Sequence, residues 1–335
     1  MKAEVVVVGA GVDGLATARA LAREGRDVLV LEQFPAGHKR GSSHGRSRIF
    51  RLAYPDEEWV RLAQESFDGW RELEAESGEE VLGLPGLIEL VDDLKESSYK
   101  ALTACGVETE VLDPNELVRR FSLRVADGWL GMLQPQAGFV LADRALAALR
   151  ASAENRGARV VFDSPVESLE ELDAGAIVVT AGAWARRLLA ASGIELPVVE
   201  TRETVAYFHV ERETPTPSVV TMIHHGHGLY SVFDPVHGLK VGHHHSGPKA
   251  DPDEEGAPDP AIVDEVTSWA GRTFSLAEPD PVGAETCFYT NTDDERFILE
   301  RHGRIVVGSA CSGHGFKFAP AVGKRLAALA AEALA

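Results

Sequence analysis

The sequence predicts a two-domain α/β protein: a dinucleotide-binding domain assembled from three separate stretches, with an antiparallel-sheet domain inserted between them. Three observations lead there. The first 34 residues read as a β-α-β unit with a glycine-rich turn. Strand runs alternating with helical patterns return at residues 138–190 and again beyond residue 304. From Pro197 to about residue 245 the pattern changes to closely spaced alternating strands. The expected boundaries are 1–86, 140–199 and 294–335 for the nucleotide domain, and 87–139 and 200–293 for the inserted one.

The opening unit is the most specific. Val5 to Val8 suit a parallel strand buried on both faces. Gly9, Gly11 and Gly14 follow in the order G-x-G-x-x-G. The first glycine permits the tight turn, the second lets a pyrophosphate approach the backbone, and the third lets helix and strand pack closely. Leu15, Ala18, Leu21 and Ala22 have helical spacing, and that helix's N-terminus directs free N–H groups at the phosphates. Gly25 ends the helix, and 27–31 form the second strand. Glu32, 18 residues after Gly14, stands where a carboxylate accepts bonds from ribose hydroxyls. It would repel a 2′-phosphate, which favours FAD or NAD over NADP. Asp13 puts an unexpected acid beside the phosphates, where it can cap the helix from its side.

Composition narrows the class. An apolar fraction of 44% fits a globular protein with a sizeable core, and no apolar run approaches the ~20 residues of a membrane span. The chain enters its first strand with no signal-peptide pattern, and Cys105, Cys287 and Cys311 are too scattered for a disulfide framework. A cytoplasmic setting is expected. The net charge of −19, with no basic stripe, argues against a nucleic-acid partner.

Along the chain, 35–51 is expected to be a loop rich in Gly, Ser and Arg. Helical patterns cover 57–79, 113–121 (capped by Asp113, with Pro114 first), 143–155 and 260–273. Strands are expected at 87–91, 138–140, 159–162 and 176–179, the last two as buried strands. Others follow at 204–210, 218–222, 228–233, 239–243, 284–290 and 304–309. A final helix begins near Pro320, after a turn of small residues. This places a second helix N-terminus inside the nucleotide domain. A reduced flavin, negative at N1 and its C2 carbonyl, is stabilised there, whereas an NAD enzyme has no need of it.

GAGVDGLATARAL, GSSHGRSRIFR, GLKVGHHH, CFYT and SGHGFKFAPAVG, in that order, resemble the monomeric sarcosine oxidase and N-methyltryptophan oxidase family over nearly the whole chain. The resemblance implies a glutathione-reductase-like FAD-binding domain with an inserted antiparallel-sheet substrate domain, and a monomer. It implies FAD linked through the Cys287 sulfur, a thiolate beside cations being a plausible nucleophile. It sets Ser43, His44, Gly313 and Gly315 against the cofactor and Arg48 near the flavin. Arg51 and Lys317 take the substrate carboxylate, and Tyr230 and Tyr289 fall in the substrate pocket. Lys240 becomes a fixed positive charge where oxygen reacts, and His244 the active-site histidine. Alternation along a strand sets Lys240, Gly242 and His244 on one face. Arg46, Cys311 and Asp13 depart from the family.

The implied reaction is oxidation of a secondary amino acid, N-methyl or cyclic. Hydride passes to flavin N5, the resulting imine hydrolyses, and O₂ is reduced to H₂O₂. One alternative is a dehydrogenase with another electron acceptor, against which Lys240 argues. A flavin-binding sensor without turnover is another, opposed by the intact Arg51, Lys240, His244 and Lys317. From a different class comes a histidine-rich metal-binding protein. His224, His225, His227, His237 and His243 to His245 hold seven of the twelve histidines, yet no carboxylate or cysteine joins them at a recognisable spacing. No metal is assigned.

Overall fold

The computed structural model describes residues 2–94, 98–210, 216–221 and 228–335. In chain order its elements are β1 (Lys2–Val8), α1 (Val12–Arg23), β2 (Val28–Leu31), β3 (Ser47–Phe50), α2 (Glu57–Ser77), β4 (Leu82–Gly83), β5 (Leu87–Val91), α3 (Tyr99–Ala104), β6 (Glu110–Leu112), α4 (Pro114–Phe121), β7 (Leu130–Gln134) and β8 (Gly138–Leu141). There follow α5 (Ala142–Glu154), β9 (Arg159–Val161), β10 (Asp173–Val179), α6 (Ala185–Ala190), β11 (Val199–His209), β12 (Ser218–Thr221), β13 (Gly228–Asp234), β14 (Gly238–His244), α7 (Pro260–Thr273), β15 (Gly283–Asn291), β16 (Ile298–His302), β17 (Ile305–Ser309) and α8 (Ala319–Leu334).

Six strands form one sheet in the order β16-β17-β10-β1-β2-β9, parallel except for β16. Val5 and Val7 pack with α1, α2, α5 and α8 on one face. Val6 and Val8 pack with Leu29, Leu31 and Leu189 on the other. Burial on both faces is why β1 is a run of valines rather than an alternation. Helices α1 and α8 cross closely: a Cβ at Gly323 would lie 2.6 Å from the Ala16 carbonyl carbon.

The second sheet has eight strands, ordered β15-β11-β14-β13-β12-β5-β7-β6. It is mixed rather than wholly antiparallel, because β5 pairs with β12 in parallel. The reason is topological: β5 enters the sheet long before β12 does, so no hairpin joins them. Ala206, Phe208, Leu239 and Val241 pack on Ile262, Val266 and Trp269 of α7, so the opposite face is left to build the site. A small sheet, β3-β8-β4, packs against β13 of the second sheet and against α5.

Other expectations need correction. The end of the 35–51 loop is strand β3, recruited by β8 and by burial of Phe50. The 159–162 stretch supplies an edge strand, β9, with no fully buried residue. Polar β16 pairs with β17 although its sequence has little strand character. Asp13 does not cap α1: the N-cap is Gly11, which has no side chain to cap with. The capping box at Asp113 and Glu116 is present, as the sequence predicts. Among the described residues, no helix is long and apolar enough to cross a membrane.

Because backbone, rather than a flexible side chain, faces Gly323, Gly323→Ala should force α1 and α8 apart. It should cost about 1–3 kcal/mol of stability. Thermal unfolding measures this, and an unchanged Tm would mean that the crossing relaxes freely.

Candidate active site

One cavity of about 930 Å³ runs from the β1–α1 turn to the face of the second sheet. Its size lies at the upper end of the roughly 300–1,000 Å³ usual for cofactor and ligand sites, room for a long group. Of the residues singled out in the sequence, Gly9, Gly11, Glu32, Ser43, His44, Arg48, Arg51, Tyr230, Lys240, His244, Cys287, Tyr289, Gly313, Gly315 and Lys317 line it. Gly14 does not. It packs beneath the turn, where a Cβ would stand 1.9 Å from the Gly9 carbonyl oxygen, so its part is packing and not ligand contact.

At the nucleotide end, the Glu32 carboxylate accepts bonds from the Ala10 and Phe34 amides at 2.8 and 3.0 Å. It is thereby fixed beside the glycine turn. Gly9 has φ of 103°, and a Cβ there would meet the Thr180 carbonyl oxygen at 2.6 Å. Ser43 Oγ accepts from the Val12 amide at 3.1 Å, tying the following loop to the start of α1. These features fit a dinucleotide: an open helix N-terminus, a backbone without side chains, and an anchored carboxylate. Asp13 Oδ1 is buried without a partner, and burial pushes this carboxyl up to about 7.

Arg48 staples the 41–46 loop, donating to the carbonyls of Ser42 and Ser47 at 2.8 and 2.9 Å and to that of His44. His44 is bonded to the Gly41 carbonyl at 2.9 Å. Burial, aided by Arg48, pushes His44 down to about 4. Arg46 pairs at 2.7 Å with the fully buried Asp234 and lies over the Tyr207 ring.

The inner end is cationic and dry. Lys240 is 4% exposed and donates to the Ser47 carbonyl at 2.5 Å. Burial and Arg48 bring its amine down to about 7, so it titrates near neutrality and is not a fixed charge. Lys317 is 3% exposed and donates to the Tyr54 hydroxyl at 2.9 Å and to the His314 carbonyl. Burial, then Arg51, presses it well below the usual lysine range. Arg51 lies 4.5 Å over the Tyr54 ring and Lys317 Nζ lies 5.5 Å from it, so both basic side chains flank one tyrosine. His244 is held neutral by burial and the adjacent His245. The Tyr230 and Tyr289 hydroxyls share a hydrogen bond, and burial raises both.

Cys287 departs from expectation. Burial lifts its thiol to about 11, outweighing Arg48 and Lys240, so the cavity holds a thiol rather than a thiolate. Cys311 also lines the cavity, and burial raises it too. Sequence reasoning missed Tyr54, His314 and Glu285. Tyr54 follows Arg51 by three residues, and His314 sits inside SGHG. Glu285 is two residues before Cys287, hence on the same face of β15.

The histidines of the sequence do not form one cluster among the described residues. His243 turns outward to Glu265 at 2.8 Å, and half-buried His237 lies 3.4 Å from exposed His209. His224, His225 and His227 lie outside the described residues.

A dinucleotide cradle opening onto a desolvated cationic pocket defines a cofactor-dependent oxidoreductase. A model of the FAD dependent oxidoreductase family matches residues 4–329, and the chain belongs to that family. It is 36% identical to the peroxisomal sarcosine oxidase of Homo sapiens, over 96% of this chain and 90% of that protein. It is 30% identical to the monomeric sarcosine oxidase of Bacillus sp. (strain NS-129), over 98% and 92%. Among solved structures, NikD, an unusual amino acid oxidase essential for nikkomycin biosynthesis, superposes with a TM-score of 0.84 at 26% identity, covering 99% of this chain and 94% of that one. These relatives bear out the resemblance drawn from the motifs.

A carboxyl raised to about 7 binds its proton more tightly folded than unfolded. Folding therefore loses stability as pH climbs from the unfolded carboxyl range toward 7. Asp13→Asn removes that loss, so its gain in Tm over the parent should be larger at pH 8 than at pH 5. An equal gain at both would mean that Asp13 is ionised throughout.

Proposed function

We propose that this chain oxidises a secondary amino acid, N-methyl or cyclic, to an imine and hands the electrons to O₂, releasing H₂O₂. One observation carries the reading. In a chain of net charge −19, the inner end of the cavity gathers Arg48, Arg51, Lys240 and Lys317, with both lysines buried. Such a pocket attracts a small anion and gives it strong, desolvated contacts.

Glu32 would hold the FAD ribose, and the Gly9–Gly11 turn with the α1 N-terminus would hold the pyrophosphate. Segments 1–86, 140–199 and 294–335 form the FAD-binding domain in this reading, and 87–139 and 200–293 the substrate domain. Bound FAD supplies a two-electron acceptor that O₂ can regenerate. The protein's part is orientation and charge. Arg51 and Lys317 clamp the substrate carboxylate, whose arrival draws a proton onto Lys317. Neutral His244 and the Tyr230–Tyr289 pair offer polar contacts without a competing negative charge. The amine must be neutral for its lone pair to assist loss of hydride. Lys240, when protonated, stabilises negative charge developing on oxygen. It is charged below about pH 7 and loses that charge above it.

We also assign Cys287 as the covalent anchor of the flavin. Its proton must leave before sulfur can attack, and Arg48 and Lys240 are the cations that favour this. Acid precipitation of the purified protein should leave the yellow colour in the pellet. Cys287→Ser should move it to the supernatant, and Cys311→Ser should not. The reverse pattern would transfer the link to Cys311.

The carboxylate clamp is tested with Arg51→Ala and Lys317→Ala, each assayed on an N-methyl amino acid and on its decarboxylated amine. Removing one partner of a desolvated charge pair should cost on the order of 2–5 kcal/mol on the acid. The amine should be affected far less, so preference for the acid should collapse. If both variants discriminate as well as the parent, the carboxylate is held elsewhere.

A further inference from the structure

Neighbouring residues of a strand point to opposite faces. The end of β14 breaks that rule. His245, one residue beyond the strand, has φ of 57°. This left-handed turn brings its ring back beside that of His244, with centroids 4.1 Å apart in an edge-on contact. Two more left-handed residues meet it, Glu295 with φ of 59° and Ser312 with φ of 40°. His245 Nε2 lies 3.3 Å from the Ser312 carbonyl oxygen and 4.0 Å from Glu295 Oε1. Three of the five non-glycine residues with positive φ, among those described, thus converge on one corner. Such residues are strained and persist where the surroundings fix them, commonly at ligand sites.

The corner carries a metal-binding donor set. One ligand atom each from His244, His245 and Glu295 lies within 4.8 Å of the others. Two imidazoles and a carboxylate are the three-ligand set of an open zinc site. Bonds of roughly 2.0–2.1 Å place tetrahedral ligands roughly 3.3 Å apart, so small side-chain movements close the set. His314 Nε2, 3.0 Å from the Glu295 carbonyl oxygen, steadies the turn that presents the carboxylate. Arg51, His314 and Lys317 also disfavour positive charge at His244 and oppose a dication, which makes this a site of moderate affinity rather than a structural zinc. The carboxylate that the sequence did not join to the histidines is Glu295, supplied by a turn fifty residues further along the chain.

We propose that His244, His245 and Glu295 bind a Zn²⁺-class dication at the substrate end of the cavity, and that filling this site inhibits the enzyme. Metal on His244 removes its ring from the pocket and sets positive charge where the substrate amine must enter. The inhibition rests on the oxidase reading above; the binding does not.

The flavin-loaded protein, stripped with a chelator, is dialysed against Zn²⁺ alone and the bound metal is counted. One ion per chain is expected, bound at least tenfold more weakly by Glu295→Gln and by His245→Asn. Asparagine is chosen because it accepts a left-handed backbone. Both variants should turn over normally in metal-free buffer. Zn²⁺ should raise the parent's KM for its amino acid and need at least tenfold higher concentration to do so in either variant. Equal affinity in all three proteins, or no binding up to millimolar Zn²⁺, overturns the site. Binding lost in the variants, with turnover indifferent to Zn²⁺, supports the site and overturns the inhibition. Site-dependent binding by a protein that oxidises no amino acid supports the site and counts against the oxidase reading instead.

Discussion

The site depends on the cost of keeping amines away from water. Lys240 and Lys317 are almost wholly buried, and desolvation disfavours the charged form of each. Carboxylates offset this only in part at Lys240, through Glu285 and Asp234, and none acts on Lys317. The protein gives Lys240 the Ser47 carbonyl, and Lys317 the Tyr54 hydroxyl and the His314 carbonyl. These acceptors serve a neutral amine as well as an ammonium. In the proposed reading, charge at the inner end is therefore set by what binds there, and the substrate carboxylate would complete it. Ion pairs preformed with carboxylates would have blocked that response, because the substrate would then compete with the protein's own anions.

The second sheet delivers these groups by register. Directly opposed residues of antiparallel strands share a face. Lys240 stands opposite Tyr207 on β11 and Val232 on β13. Gly242 stands opposite Val205 and Tyr230, and Cys287 opposite Glu203. Gly242 is required by that register: a Cβ there would lie 2.5 Å from the Tyr230 hydroxyl, so the tyrosine reaches across only because its neighbour has no side chain. The other face of these strands is apolar and packs on α7. One alternation thus serves both core and chemistry, and a slip of one residue would bury the lysine against Trp269 and expose Val241 to the cavity.

The parts of this arrangement that were legible in the sequence are local ones. The valine run, the glycine turn and Glu32 state the nucleotide unit within 34 residues, and Asp113-Pro114 with Glu116 marks a helix start to the residue. The rest is decided by partners distant in sequence. β3 and β16 are strands because β8 and β17 recruit them. The parallel β5–β12 pairing joins segments more than a hundred residues apart. Site membership came from motifs shared with a family, whereas protonation came only with burial. A lysine that titrates near neutrality and a cysteine held as a thiol look identical in sequence to their ionised counterparts. His243 turns away from His244, while a left-handed residue brings the His245 ring back beside that of His244, and no spacing rule signals that.

Asp13 shows how far burial can overturn a reading of formal charge. At the second position of α1, the helix dipole and the exposed amides favour an anion and should depress a carboxyl. Burial instead prevails and lifts it to about 7. An acid that is neutral across the acid side of that value does not repel a diphosphate. It adds an O–H donor to a turn whose business is to present donors, and Oδ1 has no partner in the protein to satisfy it. A diphosphate bound at this turn would further disfavour ionisation, so cofactor and carboxyl would reinforce the same protonation state. The residue that looks most out of place in G-x-G-x-x-G is compatible with its site because the site is dry enough to favour its uncharged form.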